Sequence, residues 1–121
     1  MQYALLIYGN QTDGAGLTEA ERDAVMQEWW TYDAWLHEQG WKRGGEALHE
    51  TTQATTVRVR DGKTLTTDGP FAETKEQLGG FYVVECANLD EAIDASAKCP
   101  AAFAGSTEIR PVVDFGQEAP S

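Results

Sequence analysis

The sequence predicts an α+β domain in which two helices cover one face of an antiparallel sheet. Three observations predict it: the order of strand-like and helical patterns, the turn signal Asp61-Gly62, and strands that are apolar on both faces. The order is strand, helix, strand with an attached hairpin, strand, helix, strand, which is the βαββαβ pattern of a ferredoxin-like sandwich with an extra β-hairpin. The 121 residues suit one domain. We expect this domain over residues 1–115 and a flexible C-terminal tail over residues 116–121.

The first half of the chain predicts a strand and the longer helix. Residues 3–8 form a short apolar run, and Thr18 with Glu21 is a capping box that opens a helix ending at Gly40. A stripe of apolar residues follows the box at spacings of four, three and four: Val25, Trp29, Tyr32 and Leu36. These spacings are typical of one buried helix face.

The second half predicts the remaining strands and a shorter helix. That helix begins after Asn88, which pairs with Glu91 as a cap, and Pro100 stops it. Its expected buried stripe is Leu89, Ala92, Ile93 and Ala97. The expected strands cover residues 41–50, with a bend or bulge at Gly44-Gly45, and residues 54–60, 63–67, 81–86 and 109–115.

Two of these strands carry large apolar residues on both faces. In the first strand Leu5 and Ile7 oppose Leu6 and Tyr8, and Phe81 opposes Tyr82 in a later strand. The helices cover only one face of the sheet, so the other face needs a second cover. We therefore expect a two-fold homodimer with the open sheet faces packed together.

Composition excludes several classes of partner. Nine Lys and Arg against 20 Asp and Glu give a net charge of −11, which argues against nucleic acid and against an anionic membrane surface. No apolar run is long enough for a transmembrane helix, and no signal peptide is recognisable, so we expect a cytoplasmic protein. Cys86 and Cys99 lack metal-ligand spacing and are expected to be reduced core thiols, with a bridge or a reactive thiol as the alternatives.

The connector before the Phe81 strand is longer than a hairpin needs. Asp68 can cap a turn that Gly69-Pro70 starts, and residues 70–77 are expected to form one or two helical turns. Gly79-Gly80 would end those turns and allow a close approach of the backbone to another group.

Residues 67–81, TDGPFAETKEQLGGF, resemble the signature of the DGPF-domain proteins, a branch of the YCII-related family. The resemblance extends to residues 44–48, 54–63 and 108–111, and covers most of the chain. It implies a dimeric α/β barrel built from ferredoxin-like subunits. Relatives in the wider superfamily are small enzymes that act on ring compounds, such as muconolactone isomerases and a dehydrochlorinase. Some DGPF proteins are encoded beside extracytoplasmic-function sigma factors, which suggests a regulatory setting.

The resemblance also implies a His/Asp pair near a cleft. Asp68 matches the Asp of the motif, with His49 as the nearer histidine candidate and His37 as the weaker one. Glu46 belongs to the matching Gly-Gly stretch, and Glu73, Lys75 and Phe71 lie in the signature itself and are expected to bind the substrate. From the residues alone, Asp68 beside the apolar Pro70-Phe71 pair can be a general base or ligand anchor, and the alternative is an Asx turn or helix cap.

The other charged residues have ordinary interpretations beside the functional ones. Glu73 and Lys75 would form solvated surface pairs, and His49 would make an ordinary strand hydrogen bond. Asp33 and His37 share a helix face as a stabilising pair, because a metal site would need a third ligand that the sequence does not supply at suitable spacing.

Two functions of different classes are consistent with the sequence. The first is a cofactor-independent isomerase or lyase that moves a proton on a ring compound through Asp68 and His49, with Glu46 and Lys75 orienting the substrate. The second is a non-catalytic ligand-binding or regulatory module associated with a sigma factor. The sequence contains no nucleophile elbow, metal set or cofactor motif.

Overall fold

The computed structural model describes residues 1–10 and 16–116 of the chain. Residues 117–121 of the predicted tail and residues 11–15 of the first loop lie outside the described part. Two longer helices, α1 and α2, a one-turn helix α3, a 3-10 turn at Thr51–Gln53 and six strands make up the fold. Their bounds are β1 Gln2–Gly9, α1 Glu19–Glu38, β2 Lys42–Ala47, β3 Thr55–Arg60, β4 Lys63–Asp68, β5 Gln77–Glu85, α2 Leu89–Ala97, α3 Ala101–Ala104 and β6 Ser106–Pro111.

Four strands form one antiparallel sheet in the order β2-β5-β1-β6, and β3 with β4 forms a separate two-stranded sheet. The α+β class is therefore confirmed, and the topology is compatible with a ferredoxin-like sandwich. The predicted turn at Asp61-Gly62 is confirmed as well, since both residues have positive φ, 52° and 73°, as a two-residue hairpin turn requires.

The longer helix begins at the predicted capping box. Thr18 Oγ1 accepts a hydrogen bond from the Glu21 amide at 3.1 Å, and Glu21 Oε1 accepts one from the Thr18 amide at 3.2 Å. Tyr32 and Leu36 of the predicted stripe are buried, whereas Val25 is exposed. Val25 borders an open groove between α1 and residues 97–104, so the stripe reaches the core only in the second half of the helix.

The shorter helix keeps its predicted cap, because Asn88 Oδ1 accepts from the Glu91 amide at 3.0 Å. Its predicted buried stripe is partly wrong: Leu89 and Ile93 are exposed, and the buried residues are Ala92, Ala95 and Ser96. The Tyr32 hydroxyl donates to the Ala95 carbonyl at 2.8 Å, so the bulky ring of α1 fills the space above α2. Only small side chains fit beneath that ring.

The core lies between the helices and one face of the sheet. Residues from β1, α1, β5, α2 and the segments that follow β5 and α2 are buried together: Tyr3, Leu5, Tyr32, Leu36, Val84, Cys86, Ala92, Ala95 and Cys99. Both cysteines are free and buried, as expected for core thiols. Since Tyr3 and Leu5 face the helices, the alternating residues Ala4 and Leu6 face the opposite, open side of the sheet.

The connector differs from its prediction. The expected helical turns over residues 70–77 are absent there, and β5 already begins at Gln77, so Gly79 and Gly80 lie inside a strand. Strand β5 pairs with β1 on one side and with β2 on the other, so Gln77, Gly79 and Gly80 belong to the sheet rather than to a helical turn. The last strand also begins earlier than expected, at Ser106, and ends at Pro111.

The glycine pair predicts two different responses to substitution. A Cβ on Gly80 would lie 2.8 Å from the Glu46 carbonyl oxygen, whereas a Cβ on Gly79 would meet nothing within 4 Å. We expect Gly80→Ala to separate β2 from β5 and to lower the free energy of unfolding by about 1–3 kcal/mol. The matched Gly79→Ala change should leave it near the wild-type value in chemical denaturation. Equal stability of the two variants would contradict this account of the β2–β5 contact.

Candidate functional site

A cleft of about 560 Å³ lies between α1 and the β1, β2 and β5 strands. Its walls are mainly apolar and aromatic, and include Ile7, Met26, Trp29 and Tyr82. Backbone of Gly45, Gly79 and Gly80 forms another part of the lining. A concave, aromatic space with a few polar groups is typical of a small-molecule site.

Two polar side chains of the cleft, Lys42 and Tyr82, meet at Asp33. Its Oδ1 lies 2.6 Å from Lys42 Nζ and accepts a hydrogen bond from the Tyr82 hydroxyl at 3.5 Å. Lys42 Nζ also lies 5.8 Å from the centre of the Tyr82 ring. His37 Nε2 is 3.8 Å from Asp33 Oδ2, but its side chain is mostly exposed. We call Asp33, Lys42 and Tyr82 the acid–base group; it joins one helix to two strands.

A β-bulge brings this group together. The pairing of β2 with β5 shifts between Lys42 and Gly44, so Arg43 is an extra residue in the ladder. Lys42 then lies opposite Val84 and Gly45 lies opposite Tyr82. Val84 and Tyr82 both point toward the helices, and the Lys42 side chain therefore reaches Asp33 of α1. The sequence predicted a bend or bulge at Gly44-Gly45, and the register shift lies immediately before it.

Burial and charge keep the Tyr82 phenol protonated. Desolvation, followed by the nearby Asp33 carboxylate, raises the pKa of Tyr82 to about 12. Tyr82 packs edge-on against Tyr32, with ring centres 5.5 Å apart, and burial also raises the pKa of Tyr32. At neutral pH, Tyr82 is thus a hydrogen-bond donor next to a carboxylate acceptor.

Of the residues predicted from the sequence, Glu46 borders the cleft. It lies at the rim: it is exposed, and because it pairs with Phe81 in the β2–β5 ladder, its side chain shares the open face of the sheet with Phe81. His49 is exposed in the connection after β2, and Asp68 is the exposed last residue of β4, opposite Thr55. Neither residue is among the described residues that line the cleft. Their pairing therefore stays a prediction.

The remaining predicted residues lie along the Asp-Gly-Pro-Phe segment. Phe71, Glu73 and Lys75 are all exposed, and Phe71 has 78% of its surface accessible. The segment follows the hairpin: Thr56 Oγ1 donates to the Gly69 carbonyl at 2.8 Å, and Arg58 donates to the Phe71 carbonyl at 3.4 Å. The cleft lining contains none of these three predicted residues in the part of the chain that the structure describes.

The acid–base group was only partly visible in the sequence. The sequence indicates a helix-surface pair of Asp33 with His37 and no functional role for Lys42 or Tyr82. One feature of the sequence could have indicated that Asp33 borders a cleft. It follows Tyr32 directly and lies four residues after Trp29, so it is on the edge of the apolar stripe of α1. Which strand residues approach that edge depends on the bulge, which the sequence located only to within a residue or two.

The described residues contain neither a cluster of metal ligands nor a membrane-spanning helix. Within ranges 1–10 and 16–116, no three His, Cys, Asp or Glu residues cluster as metal ligands would. No helix in the same ranges is both long and apolar enough to cross a membrane.

Comparison with known proteins identifies the family. The YCII-related domain matches residues 1–116. This chain belongs to the YCII-related family. A protein of Rhizobium meliloti (strain 1021), named only as uncharacterized, is 42% identical over 115 residues, which cover 93% of this chain and 92% of the relative. The YCII resemblance predicted from residues 67–81 is therefore confirmed, and the family match extends over the cleft and the hairpin alike.

The raised pKa of Tyr82 predicts how its ring titrates and how the free energy of unfolding depends on pH. In tyrosine-ring NMR we expect Tyr82 to titrate near pH 12, and Asp33→Asn to lower that value because a nearby negative charge is removed. The free energy of unfolding should be retained below about pH 10 and should fall as the pH rises toward 12, since the unfolded tyrosine ionises first. Titration of Tyr82 near its ordinary value in the wild type would contradict the described environment.

Proposed function

We propose that this YCII-related protein binds a small, largely apolar ring compound in the cleft beneath α1. One observation supports this proposal above the others: the side chains of Asp33, Lys42 and Tyr82 contact one another at the wall of an aromatic cleft of about 560 Å³. Trp29 and Tyr82 offer ring faces for stacking, and the acid–base group offers one carboxylate and two donors to the polar substituents of the ligand.

The same group supports proton transfer as the chemistry of the site. In a cofactor-independent isomerisation, the Asp33 carboxylate takes a proton from a ring carbon and returns it to another ring atom. In a lyase reaction, the proton stays on Asp33 while the leaving group departs with the electron pair of its bond. The Tyr82 hydroxyl donates a hydrogen bond to a substrate oxygen on which negative charge develops. Neither reaction needs a co-reactant.

A proton-transfer pair of Asp68 and His49 remains the alternative centre, with Glu46, Glu73, Lys75 and Phe71 as substrate-binding residues. The match of residues 67–81 to the DGPF signature supports it. The exposure of both proposed catalytic residues favours the cleft group instead, because an exposed carboxylate is solvated and poorly placed for proton abstraction from carbon.

The second function is a non-catalytic ligand-binding or regulatory module that associates with a sigma factor. The observation that favours it is the exposure of Phe71 in the Asp-Gly-Pro-Phe segment, since a large exposed aromatic residue beside an exposed hairpin suits protein docking. A cytoplasmic location is part of both proposals, and the burial of two free thiols supports it.

A homodimer of the dimeric α/β-barrel type is also part of the proposal. The open face of the sheet has Ala4 opposite Val83 and Leu6 opposite Phe81, so apolar residues occupy its two central strands. No helix of the described chain covers this face, because α1 and α2 pack on the opposite side. A second copy packed sheet to sheet would bury it.

The ligand proposal predicts that substitution of Asp33, but not of Asp68, slows proton exchange between a bound compound and solvent. With a panel of lactones and halogenated ring compounds, saturation-transfer NMR should detect binding that Trp29→Ala removes. For a bound compound, solvent deuterium should enter the ring, and Asp33→Asn should slow this exchange roughly 100-fold or more. The matched Asp68→Asn change should leave it within a few-fold of the wild type.

Three outcomes separate the functions. Loss of exchange in Asp68→Asn but not in Asp33→Asn would place the chemistry at the Asp68–His49 pair. Binding without exchange in the wild type would favour the non-catalytic module. Binding that Trp29→Ala leaves unchanged would overturn the cleft as the ligand site.

The dimer proposal predicts a solution mass of two chains. Sedimentation equilibrium at micromolar concentration should give this mass for the wild type, and Leu6→Asp should shift it toward one chain because a charge would be buried in the sheet-to-sheet contact. Ile93→Asp, on an exposed position of α2, is the control and should keep the wild-type mass. A single-chain mass for the wild type would refute the dimer.

A further inference from the structure

The open sheet face is apolar in the middle and acidic at both edges. One row of paired residues crosses all four strands: Glu46 opposite Phe81, Phe81 opposite Leu6, and Leu6 opposite Glu108. The two glutamates stand on the edge strands β2 and β6, and both are exposed. Neither has an ion-pair or hydrogen-bond partner among the described residues.

The β3–β4 hairpin has the complementary charge. Residues 55–68 carry three cations and two anions, whereas the rest of the chain carries six cations and eighteen anions. Opposite residues of the ladder share a face, and Arg58 pairs with Leu65 while Arg60 pairs with Lys63. All three cations of the hairpin therefore lie on one face, which we call the basic face.

The hairpin is also largely uncovered. Its strands form their own two-stranded sheet, and Val57, Val59 and Leu65 are 58%, 60% and 48% exposed. An isolated two-stranded hairpin is marginally stable in water. A regular ladder of six residue pairs with exposed apolar side chains on both faces is typical of an arm that packs against another surface.

We infer that the hairpin is a dimer arm: the basic face of one copy lies against the acidic edge of the open sheet face of the second copy. This inference rests on the proposed dimer and adds to it the residues that set its pairing. Arg58, Arg60 and Lys63 of each arm neutralise Glu46 or Glu108 of the other copy. The two-fold symmetry lets both arms do this at once, so both acidic edges and both hairpins are covered without another protein.

A charge-swap experiment tests this pairing. The first variant, Arg58→Glu with Arg60→Glu, makes the arm acidic; the second, Glu46→Arg with Glu108→Arg, makes the sheet edges basic. Each variant alone places like charges together, and its dimer dissociation constant in sedimentation equilibrium should rise at least tenfold. An equimolar mixture should restore association close to the wild type, because every acidic arm then meets a basic edge and every basic arm meets an acidic edge.

The second variant separates specific pairing from general repulsion. It lowers the net negative charge of a chain that carries −11, so non-specific repulsion alone would strengthen its dimer rather than weaken it. Recovery in the mixture also shows that both variants are folded. Glu19→Arg with Glu28→Arg, at exposed positions of α1, makes the same change in net charge and should not weaken the dimer.

The outcomes distinguish this inference from the dimer on which it rests. If both variants form dimers with the dissociation constant of the wild type, the arm is overturned and the sheet-to-sheet dimer stays in place. Weakening in both variants without recovery in the mixture would also overturn it. A single-chain wild type would overturn the dimer and the arm together, and the hairpin would then be free to bind a different acidic partner.

Discussion

Neighbouring residues of β5 point to opposite faces of the sheet, and this alternation separates the cleft under α1 from the open sheet face. Tyr82 points toward α1 and donates to Asp33, whereas Phe81 and Val83 point toward the open face. The strand pairs on both edges, so its register is fixed by two ladders at once. A one-residue slip would exchange Tyr82 for Phe81 and would remove both the phenol of the cleft and the apolar row of the open face.

Local chemistry made the helix starts and the hairpin predictable. The Thr18–Glu21 box, the Asn88 cap and the Asp61-Gly62 turn each depend on residues that are close in sequence, and the structure contains all three. The α+β class followed from the order of these elements. The family also followed from the sequence, because a contiguous motif such as residues 67–81 is specific by itself.

The composition of the cleft was not predictable to the same degree. Asp33 contacts Lys42 because of a bulge at Arg43, and a bulge depends on how two strands fit together rather than on either strand alone. The predicted buried stripe of α2 is partly wrong for a related reason. The Tyr32 hydroxyl donates to the Ala95 carbonyl, so a residue distant in sequence determines which face of α2 is buried. The signature segment contains the predicted Phe71, Glu73 and Lys75, which are exposed beside the hairpin, whereas its last residues, Gln77 and 79–81, line the cleft.

The separation of the hairpin from the main sheet has an evolutionary consequence. Strands β3 and β4 form a sheet of their own, and so insertions or deletions in this hairpin leave the ladders of β2, β5, β1 and β6 intact. The hairpin of this chain could therefore change in length and charge while the cleft keeps its geometry. A change in this hairpin would then leave the contacts of Asp33 with Lys42 and Tyr82 in place.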